Sequence, residues 1–215
     1  MKKLTVLMLA LIAALTLSAC STPTANPAEP TKAGVSAEKP FLIDEAAKTI
    51  KIYATVNGKY LKEPTRHGLN YKEGKNGPKA LFQTPGKETD VYDALIKLGA
   101  RPGDNLKVET AKGQTVEGQP LLVTVTWDGA EKEYDITEVV TDSTGKQIAY
   151  KFGGNLDAAK QYMTGCMLCL DSCPVGIASN AAHPYGSFDE KKVEFRGNDK
   201  LLADGKVVTI SIKVQ

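Results

Sequence analysis

The chain has 215 residues, with 27 Lys and Arg against 25 Asp and Glu and a formal charge of +2. Lys2 and Lys3 fall in the first 19 residues, which hold no acid, so without that segment the balance is 25 against 25. Neutralising phosphates takes a basic surface, which argues against nucleic acid as a partner. With 42% hydrophobic and 24% charged residues, collagen-like, wholly disordered and polytopic membrane chains are excluded as well.

Met1-Lys2-Lys3 is a basic start, and Leu4 to Leu17 is an apolar stretch of 14 residues broken by Thr5 and Thr16. A bilayer span takes ~20 residues, so this reads as a secretory signal. Leu17-Ser18-Ala19-Cys20 resembles the end of a bacterial lipoprotein signal. The expectation is a signal peptide at 1–19 and a lipid on Cys20, anchoring the chain at the extracytoplasmic face of the cell envelope. Residues 20–40 then carry Pro23, Pro27, Pro30 and Pro40 without apolar periodicity, which predicts a solvated tether.

Residues 41–215 read as one β-rich domain, because no second linker follows residue 40. Ile50, Ile52, Ala54 and Val56 alternate with polar residues as a half-buried strand, and Asn57-Gly58 after them predicts a hairpin turn. Residues 62–80 are rich in Gly, Asn, Lys and Pro, a loop holding at most one short strand. Val91, Leu95 and Leu98 recur at helical spacing, with Asp90 as the predicted N-cap and Gly99 as the left-handed stop. Leu121, Val123, Val125 and Trp127 alternate with Thr124 and Thr126, Asp128-Gly129 turns, and Tyr134 and Ile136 return. Asp142 to Gly145 turns again before Ile148, Tyr150 and Phe152. Asn155 is the predicted cap of a short helix from Leu156 to Tyr162. Val193 and Phe195 alternate, Asp204-Gly205 turns, and Val208, Ile210, Ile212 and Val214 close the chain. Short strands with repeated turn signals predict a mainly β fold, an antiparallel sandwich or barrel with two short helices and a cysteine-rich loop.

Within the cysteine-rich segment 163–183, Cys166, Cys169 and Cys173 fall inside eight residues, and Cys20 is the one remaining cysteine. Pro174 disfavours helix at Cys173, and Gly165 and Gly176 predict a loop wrapped around a ligand. In a continuous helix Cys166 and Cys173 would stand ~10 Å apart along the axis and escape a direct bridge. Three chemistries remain open. With His183 the thiols form C-x2-C-x3-C-x9-H, a set able to hold Zn or Cu. Cys166-x-x-Cys169 also has thiol–disulfide exchange spacing, with Cys173 to resolve or store the bond. The third is one structural disulfide and a leftover buried thiol, stapling a loop in a binding module without redox chemistry. His67, in Thr65-Arg66-His67-Gly68, reads as a surface-loop residue, or with Arg66 as an anion contact. No G-x-S-x-G, P-loop, G-x-G-x-x-G or H-E-x-x-H occurs, so a carrier of electrons or a binding protein is expected ahead of an enzyme.

The segment GCMLCLDSCPVGIASN, with TVNGKYL, TRHGLNYKEGKNGPKALF, VTWDG and FGGN, resembles the bacterial lipoprotein family YdjY from about Phe41 to the C-terminus. That resemblance implies a ferredoxin-type protein with a four-iron, four-sulfur cluster. Set on the ferredoxin run C-x2-C-x2-C-x3-C-P, Cys166, Cys169 and Cys173 take the second, third and fourth positions and Met163 the first. The expectation is a membrane-anchored protein with an iron–sulfur cluster or another thiolate-bound metal at Cys166, Cys169, Cys173 and His183. It would pass electrons to a membrane or extracytoplasmic redox protein.

Overall fold

Alternating side chains put one set of apolar residues on one face of a strand, and a sheet that closes on itself buries that face without leaving edges. The computed structural model, which describes residues 31–215, closes in this way. Its first strands are β1 (Phe41–Asp44), β2 (Thr49–Val56), β3 (His67–Tyr71) and β4 (Ala80–Thr84), followed by helix α1 (Glu88–Lys97). Then come β5 (Pro120–Thr126), β6 (Tyr134–Asp135), the single turn α2 (Ile136–Val139), β7 (Val140–Asp142), β8 (Tyr150–Phe152) and α3 (Leu156–Tyr162). The chain ends with β9 (Cys166–Cys169), β10 (Ala178–Asn180), β11 (Phe195–Gly197) and β12 (Val207–Val214). Eight strands close a barrel in the order β2-β12-β5-β8-β10-β9-β3-β4 and back to β2. β1 and β6 pair onto it, and β7 and β11 form a separate two-stranded sheet.

The best-ordered wall is β2-β12-β5. Ile52 and Val125 flank Ile210, Ile50 and Val123 flank Ile212, and all of them face the core. Each such side chain contributes roughly 1.5–3 kcal/mol on burial. Among the described residues no helix is long and apolar enough to cross a membrane.

The predicted barrel-like fold, its last strand and both longer helices are present. Gly99 adopts φ +83 after α1, as the stop requires. Other local expectations change. Lys87, not Asp90, is the N-cap of α1, and Asp90 sits in the first turn where its charge complements the helix dipole. Asn57-Gly58 makes no hairpin: the Asn57 side chain accepts from Lys59 N to cap a 3-10 turn at Gly58–Leu61, and Asp204 accepts from Gly58 N at 2.7 Å. The partner that takes the edge of β2 there is β4, which the sequence reading passed over. Ile136 starts α2 rather than extending a strand, because Asp135 and Glu138 form a capping box. Residues 31–40 lie on the domain instead of forming tether: Val35 is fully buried, and Thr31 Oγ1 is 3.2 Å from Thr209 Oγ1. The signal segment, Cys20 and residues 21–30 lie outside the described residues.

Candidate functional site: three thiols under two crossovers

Two pairs in the barrel are parallel, β3–β4 and β9–β10, and they flank the antiparallel β3–β9 pair. A parallel pair needs a connection that travels back over the sheet. Here each return is made by eight residues, 72–79 and 170–177. The second return carries Cys173 back over β9, where it joins Cys166 and Cys169 in a small cluster of their own, packed by Val175. The first brings Asn76 over the same strand, its Nδ2 3.8 Å from Cys166 Sγ.

Residues three apart on a regular strand face opposite ways. Cys166 and Cys169 nonetheless share a cluster, and the cause is visible in the register. His67 pairs with Cys169, Leu69 with Leu168, and Asn70 with Cys166, so the ladder skips Gly68 on one strand and Met167 on the other. Met167 and Leu168 both fall to the main core while the two thiols stay together. The predicted loop is therefore a strand at Cys166–Cys169 and a crossover from there on.

The crossover is fastened along its length. Asn155 takes the left-handed conformation at the start of α3 and, instead of capping it, donates Nδ2 to Cys173 O at 3.2 Å and Gly176 O at 3.0 Å. Ser172 N donates to His183 O at 3.0 Å, and the Ser172 hydroxyl accepts from Val116 N at 3.0 Å. Asp171 is fully buried and is gripped by Arg66 through Nε at 3.0 Å and Nη2 at 2.8 Å. Burial still leaves the Asp171 carboxyl above its ordinary range. Burial also opposes the charge on Arg66, but Asp171, Cys173, Asp189 and Cys169 together hold the guanidinium protonated above its usual value. A Cβ on Gly176 would stand 2.6 Å from Cys169 Sγ, so only glycine lets the crossover backbone lie on that sulfur.

All three thiols are free and buried, with Cys166 and Cys169 at 0% exposure and Cys173 outermost at 5%. Cys169 is the middle one, within hydrogen-bonding reach of each of the others. Its thiol is pushed well above the ordinary value because its proton is shared with the neighbouring Cys166 and Cys173 sulfurs and because it is buried. Cys166 is held well below, first by the Cys169 donor, then against burial by His67. His67 Nδ1 lies 3.6 Å from Cys166 Sγ.

The sequence thus brings the three predicted cysteines together but not the predicted fourth donor. His183 Nε2 is 2.6 Å from Asp142 Oδ2, and its ring stands edge-on to Phe195 at 5.6 Å. The histidine at the thiols is His67, whose place depends on a contact 99 residues away along the chain. One sequence sign pointed toward it: Asp171 is an acid amid apolar and cysteine residues, and burying it demands a cation, which Arg66 next to His67 supplies.

A second group of residues was not legible. The buried side-chain polar atoms without a partner among the described residues are Asn70 Oδ1, Tyr150 OH, Thr164 Oγ1 and Ser179 Oγ. Every one neighbours the thiols. Asn70 pairs with Cys166 and Ser179 with Cys169 in the sheet. Thr164 is within reach of Cys166, and burial with the nearby Cys169 pushes the Tyr150 phenol well above its ordinary value.

Among the described residues no group of three or more His, Cys, Asp and Glu side chains is disposed to hold a metal ion. The thiols flank a central sulfur, and His183 is committed to Asp142, so the arrangement as folded does not fit the cluster that the resemblance implies.

Comparison with known proteins places the chain. Residues 41–213 match the family model described as the YdjY domain. The protein named "Uncharacterized protein YdjY" from Escherichia coli (strain K12) is 39% identical over 208 residues, covering 96% of this chain and 92% of the relative. No solved structure matches the chain. The chain belongs to the YdjY family.

Proposed function

We propose that this protein is a thiol–disulfide redox carrier of the cell envelope, anchored through a lipid on Cys20, whose working groups are Cys173, Cys169 and Cys166. The observation that supports this reading is the placement of Cys169 between two free thiols, Cys166 fully buried and Cys173 the outermost at 5% exposure. Extracytoplasmic compartments favour such chemistry.

Electrons balance in three exchanges. The Cys173 thiolate attacks one sulfur of a partner disulfide, and the other sulfur leaves as a thiolate and takes a proton. Cys169 then attacks the Cys173 sulfur of that mixed disulfide, and the second partner thiol leaves. Cys166, deprotonated beside His67 Nδ1, attacks Cys169 and frees Cys173, which takes up a proton. Two protein thiols have been oxidised, one disulfide has been reduced, and the new bond between Cys166 and Cys169 lies in the buried part of the site. Run backwards, the sequence takes two electrons from a reduced membrane or envelope partner, whose dithiol becomes the disulfide.

The competing reading is an iron–sulfur cluster or another thiolate-bound metal, for which the three clustered thiols speak and against which stands their arrangement as folded. The imidazole near the thiols for such a group would be His67, whose Nδ1 lies 3.6 Å from Cys166 Sγ, and not His183. Protein prepared without oxygen and equilibrated across glutathione buffers separates the two. The carrier loses two of its three domain thiols in one transition. A chain that keeps all three at every potential while holding iron or zinc in fixed ratio overturns it. Cys20→Ser is expected to release the protein from membranes, and a wild-type mass without lipid would remove the anchor from the account.

A further inference from the structure

A cavity of about 460 Å³ opens beside the cysteine crossover. Its walls include Lys112, Lys146, Lys192, His183, Tyr185 and Glu190. Three ammonium groups thus face one carboxylate. Glu190 lies between Lys112 at 3.0 Å and Lys192 at 2.6 Å, and Lys146 rests on Ala182 O at 3.1 Å with no carboxylate partner among the described residues. The imidazole of His183 is fixed in the wall by buried Asp142. The lysines and Glu190 together leave the lining with an excess of two positive charges.

The cavity adjoins the thiols by two routes. Its His183 carbonyl accepts from Ser172 N, the residue before Cys173. Its Tyr185 ring carries the Arg66 guanidinium at 4.9 Å, and the same guanidinium clamps Asp171. Cys173 lies close enough for its charge to act on both Arg66 and Tyr185, and it is the outermost thiol.

We propose that this basic cavity docks the acidic end of the carrier's substrate, so that the disulfide it exchanges with is anionic, bearing carboxylates seated on Lys112, Lys146 and Lys192 with its sulfurs over Tyr185 toward Cys173. The proposal rests on the thiol–disulfide reading and specifies its substrate class. Cys173 attacks the nearer sulfur, the distant half leaves as a thiolate that takes a proton, and Cys169 resolves the mixed disulfide as above.

The test compares oxidised glutathione, an anionic disulfide, with neutral 2-hydroxyethyl disulfide on the fully reduced protein. The expected result is oxidation on the order of tenfold faster by the anionic disulfide at low salt, with the advantage lost at high salt. In the variant K112A/K146A/K192A the ratio of the anionic to the neutral rate falls to about one. These lysines lie at the rim of the cavity outside the core, so the variant keeps its fold. Equal rates on the wild type, or a preference that survives in the variant, overturn the proposal. If neither disulfide oxidises the protein, the carrier reading falls, and the cavity is judged by binding of unreactive S-methylglutathione followed by NMR. Binding that the triple variant loses upholds an anion site. Absent binding, or binding the variant keeps, removes it.

Discussion

The β2-β12-β5 wall and the β3-β9-β10 wall belong to one barrel but are built to opposite rules. In the first, long antiparallel strands keep an unbroken register, and Ile50, Ile52, Ile210 and Ile212 interlock at full burial. In the second, strands are three to five residues long, one pairing within it and another at its border with β4 are parallel, the register slips twice, and the unpartnered buried polar side chains gather. Apolar packing and hydrogen-bond satisfaction are what a fold optimises when nothing else is asked of it. The second wall gives up both around three thiols, which is how a functional region is told from a structural one.

The largest test of that contrast is Arg66→Met. It leaves buried Asp171 without its cation and is expected to cost about 3–5 kcal/mol in denaturant unfolding. The double change with Asp171→Asn should recover much of the loss. Ile210→Ala in the ordered wall should cost about 2–5 kcal/mol through the cavity it opens. It should leave the thiol midpoint where it was, whereas Arg66→Met should move it.

Gly176→Ala sharpens the comparison further. Its Cβ would press on Cys169 Sγ at 2.6 Å, so a loss of about 1–3 kcal/mol is expected together with altered disulfide exchange. Tyr150→Phe removes a buried hydroxyl that has no partner and should change stability by about 1 kcal/mol or less, with a gain allowed. A large loss would show that the hydroxyl is satisfied and that the site is not under-bonded.

The smallest effect concerns pH. In the reduced protein Cys166 titrates below the ordinary thiol value of 9.0 and Cys169 above it. A depressed thiol adds stability that is full above the unfolded value and fades as pH falls through the folded one. A raised thiol acts in reverse, and its contribution is lost as pH rises toward its folded value. Stability relative to Cys166→Ser should therefore increase from about pH 6 toward about pH 9, read by urea midpoints. The same comparison with Cys169→Ser should show stability falling above about pH 9.

The two walls also differ in how far the sequence reveals them. Alternation along β2, β5 and β12 is written in contiguous residues, and so are the α1 stripe and Gly99. The Asn57-Gly58 signal failed because turn chemistry is local while strand partnership is not: β4 took the edge, and Asp204 seized the turn from 146 residues away. At the site, Cys166, Cys169 and Cys173 were legible because they lie together in the chain. His67 was not, since it reaches Cys166 only through the slipped β3–β9 ladder, and His183 was drawn off by Asp142, 41 residues earlier. Asn70, Tyr150 and Ser179 come from three different strands, and only closure of the barrel sets them around one cluster.

Disulfide mapping by mass spectrometry on Cys166→Ser, Cys169→Ser and Cys173→Ser, each oxidised by a glutathione buffer, tests the central claim most directly. The account predicts a Cys169–Cys173 bond in the first variant, a Cys166–Cys169 bond in the third, and no intramolecular bond in the second, because every exchange passes through Cys169. A Cys166–Cys173 bond forming readily in Cys169→Ser, or three thiols that remain free in all variants, would contradict it.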